Sequence, residues 1–403
     1  MELFWLEHKK LWRKKIVKIC VLLCFVYCVI FGSILSFQWF SFGSSDDYTS
    51  AFGNNFDGYT VIKDSQEYAL SFDGKLTDET LQKIVSNYQQ MKADGMEEEL
   101  EKTDWQIVNS WLGTLYPELR DTSNYKTMIS YVDPDKLTGF YERRQQVLDE
   151  FLEVSGQVGA EKEFLHQIER KVEKPFHYEW VEGWSTLLGS TVADLGVVMA
   201  LFLGIVLSSL FAGEWHDNTS TLVLTTRNGW GKIALAKILT GLAFTVELFA
   251  LLAVSSVISQ LFFMGTAGWD MPIQNIKLIA VAPMNMLQAE IYEYAFVLLG
   301  AIGFAGIVMF ISAAVKNNVL TLLLSLAVVY GPMMIAEYLP YKMQKALDLI
   351  PLVGSSTDIF RTNTFRIFGK LIWSPYLLIT IPVLIGILCM PFAIKSWSRR
   401  MKA

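Results

Sequence analysis

The chain has 403 residues, 52% of them hydrophobic and 18% charged, with a mean hydropathy of +0.33 and a formal net charge of −6. This is too apolar for a single soluble core and reads as a membrane protein. A nucleic-acid partner is excluded on the same grounds, because the basic residues flank apolar runs instead of forming an aromatic-interleaved patch on a soluble domain.

A helix needs about 20 apolar residues to cross the hydrocarbon, and six runs of that kind occur. Residues 1–18 carry Lys9, Lys10, Arg13, Lys14, Lys15 and Lys18, whose plain reading is retention against anionic membrane lipid. The first run, 19–42, is uncharged; it is longer than a signal-peptide core and lacks a small-residue cleavage site, so it is read as a permanent span. The second, 184–212, is interrupted by Asp194, and the third, 233–264, carries Lys237 and Glu247. The fourth, 294–315, and the fifth, 317–336, are separated by Lys316. The sixth, 371–394, contains Pro375, Pro382 and Pro391, which bilayer helices tolerate when neighbours satisfy the freed carbonyls.

Lys395, Arg399, Arg400 and Lys402 in the tail, 395–403, mirror the basic N-terminus, so both termini are expected in the cytoplasm. The expected fold is an all-α polytopic membrane protein: six transmembrane helices with a mainly helical extracellular domain, 43–183, inserted between the first two. Residues 265–293 and 337–370 become extracellular loops, and 213–232 a cytoplasmic connection. Asp46 to Glu182 holds 28 acidic and 14 basic residues against 12 and 20 elsewhere, so the acidic excess falls outside and the basic excess inside.

Within the inserted domain, residues 58–75 look like a short strand pair. Leu81, Ile84, Val85, Tyr88 and Met91 then line one helical face after Thr77, a fitting N-cap, with Gly95 as the stop. Trp105, Val108, Trp111, Leu112 and Leu115 repeat the pattern. A further helix carries Leu137, Phe140, Tyr141, Leu148, Phe151 and Leu152, and another Phe164, Leu165, Ile168 and Val172 before Pro175. The charged runs 96–102 and 161–174 read as solvated faces, and His166 and His177 have no ligand spacing. The four cysteines, Cys20, Cys24, Cys28 and Cys389, all fall in spans; the first three recur every four residues and are read as a packing stripe. Neither a metal site nor a catalytic constellation emerges.

The polar interlude 213–232 is the longest internal connection. An acidic residue closing the second span, a Thr-bearing short helix, a leucine pair, a Thr-rich turn and a lysine opening the third span stand here as Glu214, Thr219, Leu222, Leu224, Thr225, Thr226 and Lys237. This arrangement resembles the coupling segment of ABC-2 type transporter permeases. The N-terminal stretch Leu3 to Lys15 resembles the interfacial helix of that family, and 350–369 sits where it carries short external helices. The chain departs from the family in lacking glycine near Asn218 and in its large first external domain.

The resemblance implies a multi-pass permease of a bacterial cell membrane. A protruding connection can transmit a push if it offers an apolar foothold, here Leu222, Val223 and Leu224, and a polar rim, here Glu214, Asp217, Arg227 and Lys232. No G-x-x-x-x-G-K-[ST] occurs, so the chain itself is not expected to be an enzyme or to hold a cofactor. ATP and Mg are expected on a separate ABC ATP-binding subunit, with a second permease copy or a related permease completing the unit. Glu247, about 21 Å along its helix from Ile233, is the candidate for a translocation path or permease interface; Lys237 is near enough to the end to snorkel. The expected function is export of an amphipathic substrate such as a peptide, lipid or antimicrobial. The alternative is a membrane sensor or scaffold whose external domain binds a ligand and signals without transport.

Overall fold

The computed structural model describes residues 2–29, 66, 69, 71–95, 105–121, 127–188, 192–216, 231–354 and 363–399. Helix α1 (Glu2–Arg13) breaks at Lys14 and continues as α2 (Lys15–Val29); the rest of the first apolar run lies outside the described residues. The inserted domain contributes β1 (Gly74–Lys75), α3 (Asp78–Ala93), α4 (Trp105–Leu115), α5 (Phe140–Val154), α6 (Ala160–Glu169) and β2 (His177–Tyr178). Then come α7 (Val192–His216), α8 (Lys232–Met264), α9 (Met286–Val315), α10 (Asn318–Ile335), β3 (Thr364–Ile367), β4 (Lys370–Trp373) and α11 (Ser374–Arg399). Helices α7 to α11 are the five that are long and apolar enough to cross a membrane among the described residues.

Local chemistry explains most of the boundaries. The Thr77 hydroxyl accepts from the Thr80 N–H to cap α3, which buries Leu81, Ile84, Val85 and Tyr88. Asn285 and Gln288 form a reciprocal capping box that starts α9 eight residues before the expected 294, so Glu290 and Glu293 are helical, not part of a loop. Asn317 caps α10 one way only, its side-chain oxygen accepting from the Leu320 N–H. Helix α11 passes through Pro382 and Pro391 and begins at Ser374, because Leu371–Trp373 belong to a hairpin strand. In the loop 337–370, where short helices were expected, one forms at Tyr341–Leu347, whereas the described residues of 350–369 form turns to Gly354 and the β3–β4 hairpin.

Two other expectations change. The strand pair over 58–75 falls mostly outside the described residues; among those described, Gln66 and Ala69 are helical and one strand, β1, pairs with β2 a hundred residues later. Phe151 is 41% exposed and lies off the buried stripe of α5, whereas Leu137 and Val172 are buried just beyond helix ends.

Among the described residues the core has two main centres, besides a small cluster of Ala69, Trp180 and Met264. The bundle core joins Cys20, Cys24 and Cys28 of α2 to α7, α8, α9 and α11, so the cysteine stripe packs inward. Its tightest crossing is between α9 and α11, where an added Cβ on Gly303 would stand 2.3 Å from the Pro382 carbonyl oxygen and one on Gly306 2.5 Å from that of Gly386. Only glycine permits that backbone contact.

The second centre is the inserted domain, and it is not self-contained. Met271, Ile273, Leu278, Ala280, Val281 and Ala282, from the α8–α9 connection, share its core with Trp111, Phe140 and Tyr178. Arg144, fully buried, holds the connection: Nε donates to the Leu278 carbonyl at 2.7 Å, Nη2 to Ala280 at 3.0 Å and Nη1 to Glu169 at 2.6 Å. Trp111 donates to the Asn275 carbonyl from the other side. Burial pushes the Glu169 carboxyl up, but hydrogen bonds from Lys174 and Arg144 outweigh it and hold the group below its ordinary range.

Removing one partner of such a buried pair costs about 3–5 kcal/mol. Arg144→Met should therefore lower the melting temperature of the solubilised protein and abolish slow amide exchange at residues 276–282, measured by hydrogen–deuterium exchange. A depressed carboxylate stabilises above its unfolded pKa and that contribution vanishes as pH falls through the folded value. Stability should accordingly drop on acidification below the ordinary carboxylate range, and Glu169→Gln should flatten that profile.

Candidate functional site

Four elements converge where α7 ends. Residues Glu7, Lys10, Leu11 and Lys14 share one face of α1 and its break, by their spacing of three and four. That face meets α7 and α8, with Leu11 2% exposed, while Trp5 and Leu6 on the far side are 62% and 64% exposed. The Lys237 ammonium lies 2.8 Å from Glu7 Oε2 and 2.9 Å from Glu214 Oε1. Lys10 Nζ donates to that same Glu214 oxygen at 2.6 Å, and Lys14 Nζ to Ser209 Oγ at 2.9 Å.

Glu214 is 4% and Lys237 1% exposed, so the set of alternating charges has a buried pair at its centre, with Glu7 and the exposed Lys10 at its rim. Lys237 therefore does not snorkel; the two carboxylates it meets compensate for its desolvation where it stands. Lys10, half exposed, and Lys14 also spend their ammonium groups on protein partners, Glu214 and Ser209, and not on lipid headgroups alone as their composition suggests.

Just before Glu214, the α7 ladder is entered from outside. The Ser312 hydroxyl of α9 donates to the Ser208 carbonyl at 2.7 Å and accepts from the N–H groups of Phe211 and Ala212 at 3.1 and 3.0 Å. A side chain inserted in this manner is a recognised cause of helix bending. The last turn of α7 is gripped by aromatic groups: Phe211 and Trp215 meet Trp397 of α11 edge-on at 5.5 and 6.1 Å, and Lys316 stands 4.1 Å over the Trp215 ring.

Of the residues the sequence singles out, the structure brings Glu214 and Lys237 together. Lys232 is exposed at the start of α8. Asp217, Thr219, Leu222, Leu224, Thr225, Thr226 and Arg227 lie outside the described residues. Glu247 is separate from the cluster, 42% exposed, and is met by Trp12 Nε1 at 3.0 Å and His8 Nε2 at 3.2 Å. Helix α8 has 33 residues, about 50 Å at the helical rise, which exceeds the hydrocarbon by several turns. Glu247 thus stands beside the amphipathic α1, and distance from Ile233 is a poor measure of its depth.

Glu7, Ser312 and Trp397 escaped the sequence reading. Their roles depend on contacts between elements more than 80 residues apart, for which the local pattern carries no signal. Glu7 alone had a clue, as an acidic residue within a basic stretch.

Lys237→Met should strand Glu7 and cost about 3–5 kcal/mol of stability, seen as a lowered melting temperature in detergent. Adding Glu7→Gln should recover part of the loss; a double variant no more stable than the single would refute the pairing as its cause. Comparisons with protein-family models, curated proteins and solved structures return no match, so the reading of this joint rests on its own residues.

Proposed function

We propose that the chain is the membrane subunit of an ATP-driven transporter of the ABC-2 permease type, exporting an amphipathic substrate such as a peptide, lipid or antimicrobial compound. In this reading both termini and residues 217–230 face the cytoplasm and the inserted domain lies outside. A separate ATP-binding subunit, carrying ATP and Mg, works the connection, and a second permease copy or a related permease completes the transport unit.

The observation that carries the proposal is the buried charge set at the root of that connection. Segment 217–230 leaves α7 immediately after Glu214 and His216 and returns at the start of α8, one turn before Lys237. A force on it reaches two helices whose ends are tied to each other and to α1 by the same ammonium. The Ser312 contact places a yielding point in α7 directly behind. Such an arrangement transmits displacement along helices, which is what a coupling segment requires.

A second reading, a ligand sensor, draws on a cavity of about 430 Å³ between the inserted domain and the α8–α9 connection, lined by Phe176, His177, Asp270, Gln274 and Asn285 among others. Because that connection completes the domain core, the sensor reading is testable only with the full chain.

Purification from native membranes should recover an ATP-binding protein with a P-loop. In proteoliposomes, Arg227→Ala should reduce stimulated hydrolysis by about fivefold or more, the range of an ordinary coupling energy, with insertion unchanged. Recovery of no such companion, or unaltered hydrolysis, would remove the proposal.

A further inference from the structure

The most expensive polar groups among the described residues lie near the start of α9. Glu290 and Glu293 are 4% and 0% exposed. Their four carboxylate oxygens are buried without a hydrogen bond of ordinary geometry, as is the hydroxyl of Tyr294, which lies close enough to Glu290 to interact with its carboxyl group. Spacings of three and four put these side chains on one helical turn.

The surroundings are apolar and aromatic. Met286, Ala289, Phe296 and Val297 continue the buried stripe of α9, and Phe249 of α8 meets the Tyr294 ring edge-on at 6.1 Å. The cation whose field reaches Glu293 is Lys277, an exposed residue of the α8–α9 connection, not a buried counter-ion. A carboxylate at such a place costs several kcal/mol unless it takes up a proton or a positive group joins it, and two within one turn compound the cost.

We propose that Glu290 and Glu293 form a binding site for an organic cation, a primary ammonium or guanidinium carried on an apolar body. The inference deepens the transport reading, on which it rests, by naming the substrate class as cationic and amphipathic. A primary ammonium needs three acceptors, which the two carboxylates and the phenol supply, while the aromatic rings suit the apolar body and stabilise its charge. A calcium ion needs six to eight oxygens, commonly including carbonyls and water, and the carbonyls within α9 are engaged in its own helix.

The test uses the full chain in lipid nanodiscs with dodecylammonium as probe and dodecanol as its neutral counterpart. Dodecylammonium should bind saturably, and Glu290→Gln with Glu293→Gln should weaken it by about tenfold or more while dodecanol shows no saturable binding. In the unaltered protein, a hydrophobic carbodiimide should label Glu290 or Glu293, mapped by mass spectrometry, and dodecylammonium should block the labelling. Labelling unaffected by the amine, equal binding of dodecanol, or protection by sodium or calcium chloride in place of the amine would each overturn the assignment. No ATP-binding subunit is present in these measurements, so their failure leaves the partner test untouched, and the reverse holds too.

Discussion

One ammonium, that of Lys237, fixes how the ends of the bundle are arranged. Buried charges cannot be relaxed by sliding a side chain toward water, so Lys237 and Glu214 must stay where their mutual geometry is satisfied, with Glu7 and Lys10 drawn in against them from α1. Helix α1 consequently lies against α7 and α8 in one register, and the break at Lys14 turns the chain so that α2 can bury its cysteines in the bundle. An apolar contact at the same place would have tolerated rotation; an ionic one does not.

At the other end the chain uses a similar device for a different purpose. Arg144 reaches across 134 residues of sequence to take two backbone carbonyls of the α8–α9 connection. The guanidinium satisfies the buried Leu278 carbonyl, shares that of Ala280 with the Gln274 side-chain amide, and so ties the inserted domain to the bundle. The β3–β4 hairpin adds a further tie, with the Thr364 hydroxyl donating to Gln157 and Arg366 paired to Glu161.

The sequence disclosed what periodicity and composition control. Apolar runs located helices α7 to α11, and Thr77 with the Leu81, Ile84, Val85 and Tyr88 stripe located α3. It failed where the deciding contact was remote. Glu290 and Glu293 made 286–293 look like a loop because carboxylates are rarely buried, whereas a capping box built from two amides, Asn285 and Gln288, starts the helix there. The acidic pair was thus mistaken for a boundary when it lay inside an element. At the candidate site the pattern found Glu214 and Lys237, one on each helix end, but could not supply Glu7 or Lys10 from α1 as their partners.

The glycine crossing of α9 with α11 has a mechanical consequence. Side chains that interdigitate can change rotamer and let helices slip, but main chain against main chain at Gly303, Gly306 and Gly386 leaves nothing to rearrange. These two helices therefore travel as a single rigid beam, and any opening of the bundle has to occur along the opposite flank of α9, the side that bears the two carboxylates.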